Sequence, residues 1–173
     1  MVTATPVDRG IGIDRLRAVA GAVGDPEIPV LTLDDLGIVR DVRWGDGDLT
    51  GTVLVELTPT YTGCPATEVI AADVTAALRD AGAPRVRVRT VLAPAWTTDW
   101  ISDEGRRKLR EYGIAPPGAR RPAGAGVALT LSVRCPCCGS GRTREVSRFG
   151  ATPCQSHWTC QSCLEPFDSF KAI

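Results

Sequence analysis

Histidine occurs once in these 173 residues, as His157, so a cysteine–histidine catalytic pair could form only if distant parts of the chain fold together. The paired Glu and Glu-x-x-His helices of a carboxylate-bridged di-iron bundle are absent, as is a Gly-rich dinucleotide fingerprint. No apolar run approaches the roughly 20 residues that span a bilayer. Residues 1–10 lack the charged-then-apolar design of a signal peptide. Net charge is also missing: 20 basic and 20 acidic side chains cancel, which argues against broad capture of nucleic acid or anionic lipid. The expectation is a cytoplasmic protein with no membrane and no nucleic-acid partner.

Cysteine is what the chain does have. There are seven, and six fall between Cys135 and Cys163. In a reducing compartment that concentration points to metal rather than to a disulfide framework. Cys135 with Cys138 and Cys160 with Cys163 make two C-x-x-C knuckles, which together can close a tetrahedral site around one Zn²⁺. Residues 127–133 and 142–149 alternate as strands beside the knuckles, so a zinc ribbon is expected over 127–173. So short a module has little core and depends on the metal for folding. Four thiolates leave no open position for substrate, which makes this zinc structural; iron is the chemical competitor at an all-sulfur site. Cys137, Cys154 and His157 lie nearby and leave open a different ligand choice or a second soft-metal site, with packing beside the ribbon as the plainer reading for Cys154 and His157. Five basic and three acidic residues with four thiolates and one Zn²⁺ leave the ribbon near neutral.

The preceding residues are organised around Thr58-Pro59-Thr60-Tyr61-Thr62-Gly63-Cys64-Pro65-Ala66. An alternating strand over 49–57 enters this stretch and a helix over 65–81 leaves it, with Val69, Ala72, Ala76 and Leu78 as inward candidates. Cys64 therefore falls at or next to the helix N-cap, where unpaired N–H groups and the helix dipole favour a thiolate. It is either a nucleophile or soft-metal ligand, or a half-buried packing cysteine.

Other elements surround that junction. Ile13, Leu16, Ala20 and Val23 share one helix face, and the two prolines of Asp25-Pro26-Glu27-Ile28-Pro29 should hold that loop extended. Thr32 and Asp35 cap a short turn closed by Gly37. Strands follow over 38–44 and 85–92, the first joined to the strand before Cys64 by an antiparallel hairpin. Trp96 and Trp100 anchor a loop or face a partner. Ser102 caps a helix whose acidic start and basic end match its dipole, so the basic run reads as a solvated face. Residues 114–126 are rich in proline and glycine and read as a linker. The fold expected is a small α/β (α+β) domain over 1–113, with a mixed or antiparallel sheet and helices on one face, then the linker and the ribbon.

Three further stretches carry a resemblance: Pro94-Ala95-Trp96-Thr97-Thr98-Asp99-Trp100, Tyr112-Gly113-Ile114-Ala115-Pro116-Pro117, and Cys160 to Ile173. With Asp25-Pro26-Glu27-Ile28-Pro29 and Thr62-Gly63-Cys64-Pro65, they resemble the PaaD (PaaJ) accessory subunits of phenylacetyl-CoA oxygenase, within a wider family of iron–sulfur maturation domains. The resemblance implies a helper in aerobic phenylacetate breakdown, not a catalytic subunit. Its partners would be the oxygenase and reductase subunits of the phenylacetyl-CoA epoxidase, together with iron–sulfur assembly proteins. Cys64 would bind iron or a cluster transiently, with Glu27 as second ligand or proton acceptor. The alternative implied role is a non-catalytic structural adaptor docking through the tryptophans and the ribbon. A homodimer is compatible with the sequence, though no residue demands one.

Overall fold

The computed structural model describes residues 11–61, 63–118 and 133–172. The expected tail over 1–10, most of the expected linker and all but Val133 of the strand expected over 127–133 lie outside the described residues.

The first sheet follows from the alternating segments. β1 (Val39–Trp44) and β2 (Val53–Leu57) pair antiparallel, and β3 (Val86–Thr90) adds parallel to β2, giving the order β1-β2-β3. Val42, Val55 and Val88 form one row across the sheet. Glu56 projects from β2 between Arg43 and Arg89 and pairs with both. The strand expected over 49–57 begins only at Val53, because Gly47–Leu49 winds into a 3₁₀ turn and Gly51 takes a φ of +78°.

Two helices pack on this sheet and on each other: α1 (Ile13–Gly21) against β1 and α3 (Ala66–Asp80) against β3. Leu16 and Ala20 carry the buried face of α1. On α3 the buried stripe is Ala66, Ile70, Val74 and Leu78, a strict four-residue spacing. Of the inward candidates only Leu78 is buried; Val69 is 49% exposed, and Ala72 and Ala76 face out. An alanine-rich helix shows almost no contrast between its faces, so its sequence does not fix the phase.

The short helix α2 (Leu33–Leu36) is held by a reciprocal capping box between Thr32 and Asp35. Gly37 closes it with a φ of +67°, and a Cβ there would stand 2.8 Å from the Trp100 carbonyl oxygen. Asp35 is a hub. Its carboxylate accepts hydrogen bonds from the Thr32 N–H (3.0 Å), the Ser102 hydroxyl (3.3 Å) and Lys108 Nζ (2.6 Å). Its own carbonyl accepts the Ser102 N–H. This fixes α4 (Asp103–Glu111), whose Ser102 cap accepts the Gly105 N–H at 2.9 Å as expected. The basic run on α4 is not simply solvated: Lys108 reaches Asp35, and Arg106 donates to the carbonyls of Thr98 and Pro117.

The second sheet has the order β4-β7-β6-β5, from β4 (Ile114–Ala115), β5 (Thr143–Ser147), β6 (Gln155–Cys160) and β7 (Pro166–Phe170). Residues 114 and 115, expected to open the linker, instead pair parallel with Asp168 and Ser169. Phe170 and Cys154 pack into the core of the first sheet, while Ala115, Cys135, Cys160 and Phe167 form a smaller core.

Asp35→Ala should cost about 3 kcal/mol, because it strands the Lys108 ammonium beside buried groups and unmakes the capping box; denaturant unfolding at pH 7 measures this. Burial alone would raise the Asp35 carboxyl, but hydrogen bonds from Lys108 and Thr32 outweigh it and hold the group below its ordinary 3.8. A depressed acid contributes stability above its unfolded value and loses it as pH falls through its folded one. Acidification below about pH 4 should therefore destabilise the native chain more than it destabilises Asp35→Asn.

Candidate metal centre and thiol pocket

The two knuckles meet. Cys135, Cys138, Cys160 and Cys163 place all four sulfurs within 4.8 Å of one another, with Cys135 Sγ 3.7 Å from Cys163 Sγ and Cys138 Sγ 3.6 Å from Cys160 Sγ. A tetrahedron with metal–sulfur bonds of about 2.3 Å has edges of about 3.8 Å, so the four residues fit a Zn²⁺ ion. Such an ion would act as a cross-link between hairpins, and the protein around it is already shaped for that. Gly139 and Leu164, each just after the second cysteine of its knuckle, have φ of +72° and +65° and turn the chain back. The Ser140 and Ser162 hydroxyls bridge the knuckles at 2.8 Å. The Cys160 thiol is held down, chiefly by the backbone N–H of Cys163. Cys137 lies exposed outside this quartet, and His157 instead pairs through Nδ1 with Asp168 Oδ1 at 3.1 Å.

The second feature is a narrow cavity where β2 ends and α3 begins. Asp25, Glu27, Cys64 and Cys154 all line it, between apolar walls that include Ile38, Leu57, Ile70 and Phe170. Cys64 precedes the Pro65 N-cap and is half-buried. Glu27 arrives on a turn rather than on an extended loop: Asp25 Oδ1 accepts the N–H groups of Glu27 (2.9 Å) and Ile28 (2.7 Å) and bends the segment. An aspartate preceding a proline is a turn-forming signal that outweighs the extended preference read from the prolines. The structure thus brings Glu27 and Cys64 together, as the sequence suggested, and adds two residues not assigned there.

The electrostatics differ from the expectation of a helix-stabilised thiolate. Burial pushes the Cys64 thiol up, the Asp25 and Glu27 carboxylates push it further, and the N–H of Ala66 and the Thr67 side chain oppose this without winning. Glu27 is itself raised, by burial and then by Asp25. Burial likewise raises Asp25, against the two N–H groups it accepts. Cys154 is buried, its sulfur 3.0 Å from the Thr152 hydroxyl, and its thiol is raised by burial and by the same two carboxylates. Both pocket thiols are thus disfavoured as thiolates by burial and by the two carboxylates.

The two tryptophans differ in burial. Trp96 is 3% exposed, donates its indole N–H to the Leu36 carbonyl (2.8 Å) and lies 5.9 Å from the Phe170 ring. Trp100 stacks under the Arg40 guanidinium.

Residues 13–92 match the family described as iron-sulfur cluster assembly protein, and residues 119–171 match the PaaD zinc beta ribbon domain. A protein of Escherichia coli (strain K12), named as a component of 1,2-phenylacetyl-CoA epoxidase, is 44% identical over 93% of each chain. The chain belongs to the PaaD family. A protein of Porphyromonas gingivalis (strain ATCC BAA-308 / W83), named Fe-S protein maturation auxiliary factor, is 35% identical over 50% of this chain and 80% of its own length. The crystal structure of a domain of unknown function from Bacillus anthracis superposes with a TM-score of 0.50 at 27% identity, covering 56% of this chain and 90% of that one. The mixed α/β fold with a C-terminal zinc ribbon is therefore the fold of a PaaD-type chain. Among the described residues no helix is long and apolar enough to cross a membrane.

If the ribbon quartet binds as its geometry requires, the purified chain should carry one Zn²⁺, and Cys160→Ser should abolish it and unfold the ribbon. Cys137→Ser should leave zinc content and melting unchanged. Elemental analysis and circular dichroism before and after chelation are the measurements.

Proposed function

We propose that this chain is an accessory factor of a phenylacetyl-CoA epoxidase, maturing or maintaining the metal centres of its oxygenase and reductase partners through Cys64. The observation that carries this reading is the placement of Asp25 and Glu27 beside Cys64. Two carboxylates destabilise a free thiolate, which disfavours a covalent nucleophile, and they stabilise a cation bound at the same sulfur. A pocket of this charge takes up a metal ion more readily than it attacks a carbonyl. Iron, or iron within a cluster, is the cargo. Cys64 holds it as thiolate, and Glu27, whose raised carboxyl is ready to take a proton, accepts the proton that the thiol gives up or serves as second ligand. The names of the Escherichia coli and Porphyromonas gingivalis relatives support both halves of this reading, the epoxidase and the maturation role. Iron–sulfur assembly proteins are the natural donors. The zinc of the ribbon has no part in the transfer, since its four sulfur positions are all used for structure.

The alternative, a structural adaptor docking through the two tryptophans and the ribbon, draws less support from Trp96, which is committed to the core, than from Trp100, which is partly exposed.

The oxygenase and reductase should each be purified after production with this chain, without it, and with Cys64→Ser. Maturation through the thiol requires iron-poor, inactive partners in the last two cases. Fully metallated partners made without the chain would refute it, and partners that gained activity only when the purified chain was added would place it as a stabilising component.

A further inference from the structure

The two acids beside Cys64 stand in different circumstances. Asp25, Glu27 and Ile28 belong to a loop whose ends are tied together: Gly24 bridges Thr32, and the Asp25 N–H donates to the Leu31 carbonyl at 2.9 Å. Within the loop Asp25 Oδ1 accepts two backbone N–H groups, from Glu27 at 2.9 Å and from Ile28 at 2.7 Å. Ile28 and Leu31, 2% and 0% exposed, sink into the core of the first sheet and anchor the loop from below. Among the described residues no hydrogen bond or ion pair takes the Glu27 carboxylate. One acid is committed to backbone, and the other is free.

We infer that Asp25 is the positioning residue of the Cys64 pocket: its carboxylate fixes the backbone of Glu27, so that Glu27 alone of the two acids is left to act beside the thiol.

The physical reason lies in the turn. A side-chain oxygen that stands in for a backbone carbonyl closes the chain locally and leaves the next residues little freedom. A carboxylate carried on so fixed a segment meets its target without an ordering cost at the moment it acts. Asparagine offers the same acceptor oxygen without the charge, and alanine offers neither. Substitution therefore separates position from electrostatics. The inference rests on the maturation reading for what Glu27 does, but the two fail separately, because the placement of Glu27 can be read on the thiol with no partner present.

The groups that face Cys64 are Asp25 and Glu27 from this loop, Cys154 from the segment before β6, and the Ala66 N–H and Thr67 side chain from α3. The test follows alkylation of Cys64 by iodoacetamide against pH in the full zinc-loaded chain, read by mass spectrometry of the Cys64 peptide. Glu27→Gln should lower the pH of half-maximal reaction, since one carboxylate opposing the thiolate is gone. In an Asp25→Asn background the same Glu27→Gln step should produce the same further shift. In an Asp25→Ala background that shift should fall by about half or more, because Glu27 is no longer held over the thiol. Equal shifts in the two backgrounds, or no shift on Glu27→Gln in the native chain, would overturn the inference. Melting confirms that each variant is folded. Should Asp25→Ala fail to fold, amide hydrogen exchange decides: the Glu27 N–H should be protected in the native chain and in Asp25→Asn, and free exchange in the native chain would overturn the inference. In the maturation assay Asp25→Asn should load the partners with iron and Asp25→Ala should not; loss in both would make Asp25 a charge in the pocket and overturn its positioning role. Partners that acquired iron without this chain would refute maturation and leave the placement of Glu27 standing.

Discussion

The indole of Trp96 is fixed on two sides, by the hydrogen bond to the Leu36 carbonyl and by the Phe170 ring, and the relation between the two sheets depends on that fixture. Leu36 ends the short helix that Asp35 ties to α4, and α4 leads directly into β4, the edge strand of the ribbon sheet. Phe170 closes β7, the neighbour of β4. A buried aromatic pair with a satisfied N–H is a directional contact, not only an apolar one. It sets the last strand of the ribbon against the first core, and Cys154, whose carbonyl accepts the Lys171 N–H beside Phe170, comes with it.

That placement decides the chemistry of the pocket. A thiol at a helix N-terminus in water would lean toward thiolate, but here apolar walls and two acids reverse the balance. The same groups that suppress the free anion favour a cation, since adding positive charge relieves both the desolvated sulfur and the crowded carboxylates. Parallel pairing of β2 and β3 explains why the site lies where it does. The carboxyl end of β2 and the start of α3 bound a crevice into which the Asp25 turn can reach.

Much of this was legible in the chain. The knuckle spacing pointed to the four cysteines whose sulfurs gather, the strand-to-helix junction singled out Cys64, and the Thr32, Asp35 and Gly37 signals fixed α2, because each rests on local geometry. Glu27 was legible as a carboxylate in a constrained loop, though the loop is bent by Asp25 rather than extended by proline. The phase of α3 was not legible, since alanines mark neither face. Cys154 could not be assigned by any local rule. Its place at the pocket depends on docking between segments about ninety residues apart, and the packing of Phe170 and Trp96 reveals it.

The two cysteine regions are also linked through the fold. The second sheet has a small core of its own, with Ala115, Cys135, Cys160 and Phe167 buried, and two of those four are knuckle cysteines. Cys138 and Cys163 join those two at the knuckles, where the Glu165 N–H does not offset the burial and neighbouring sulfurs that push the Cys163 thiol up, while the Cys163 N–H holds the Cys160 thiol down. The register of β6 against β7 in turn positions the residue just before β6, which is Cys154. A cation that tied the knuckles together would thus also steady the segment that carries Cys154 to the pocket.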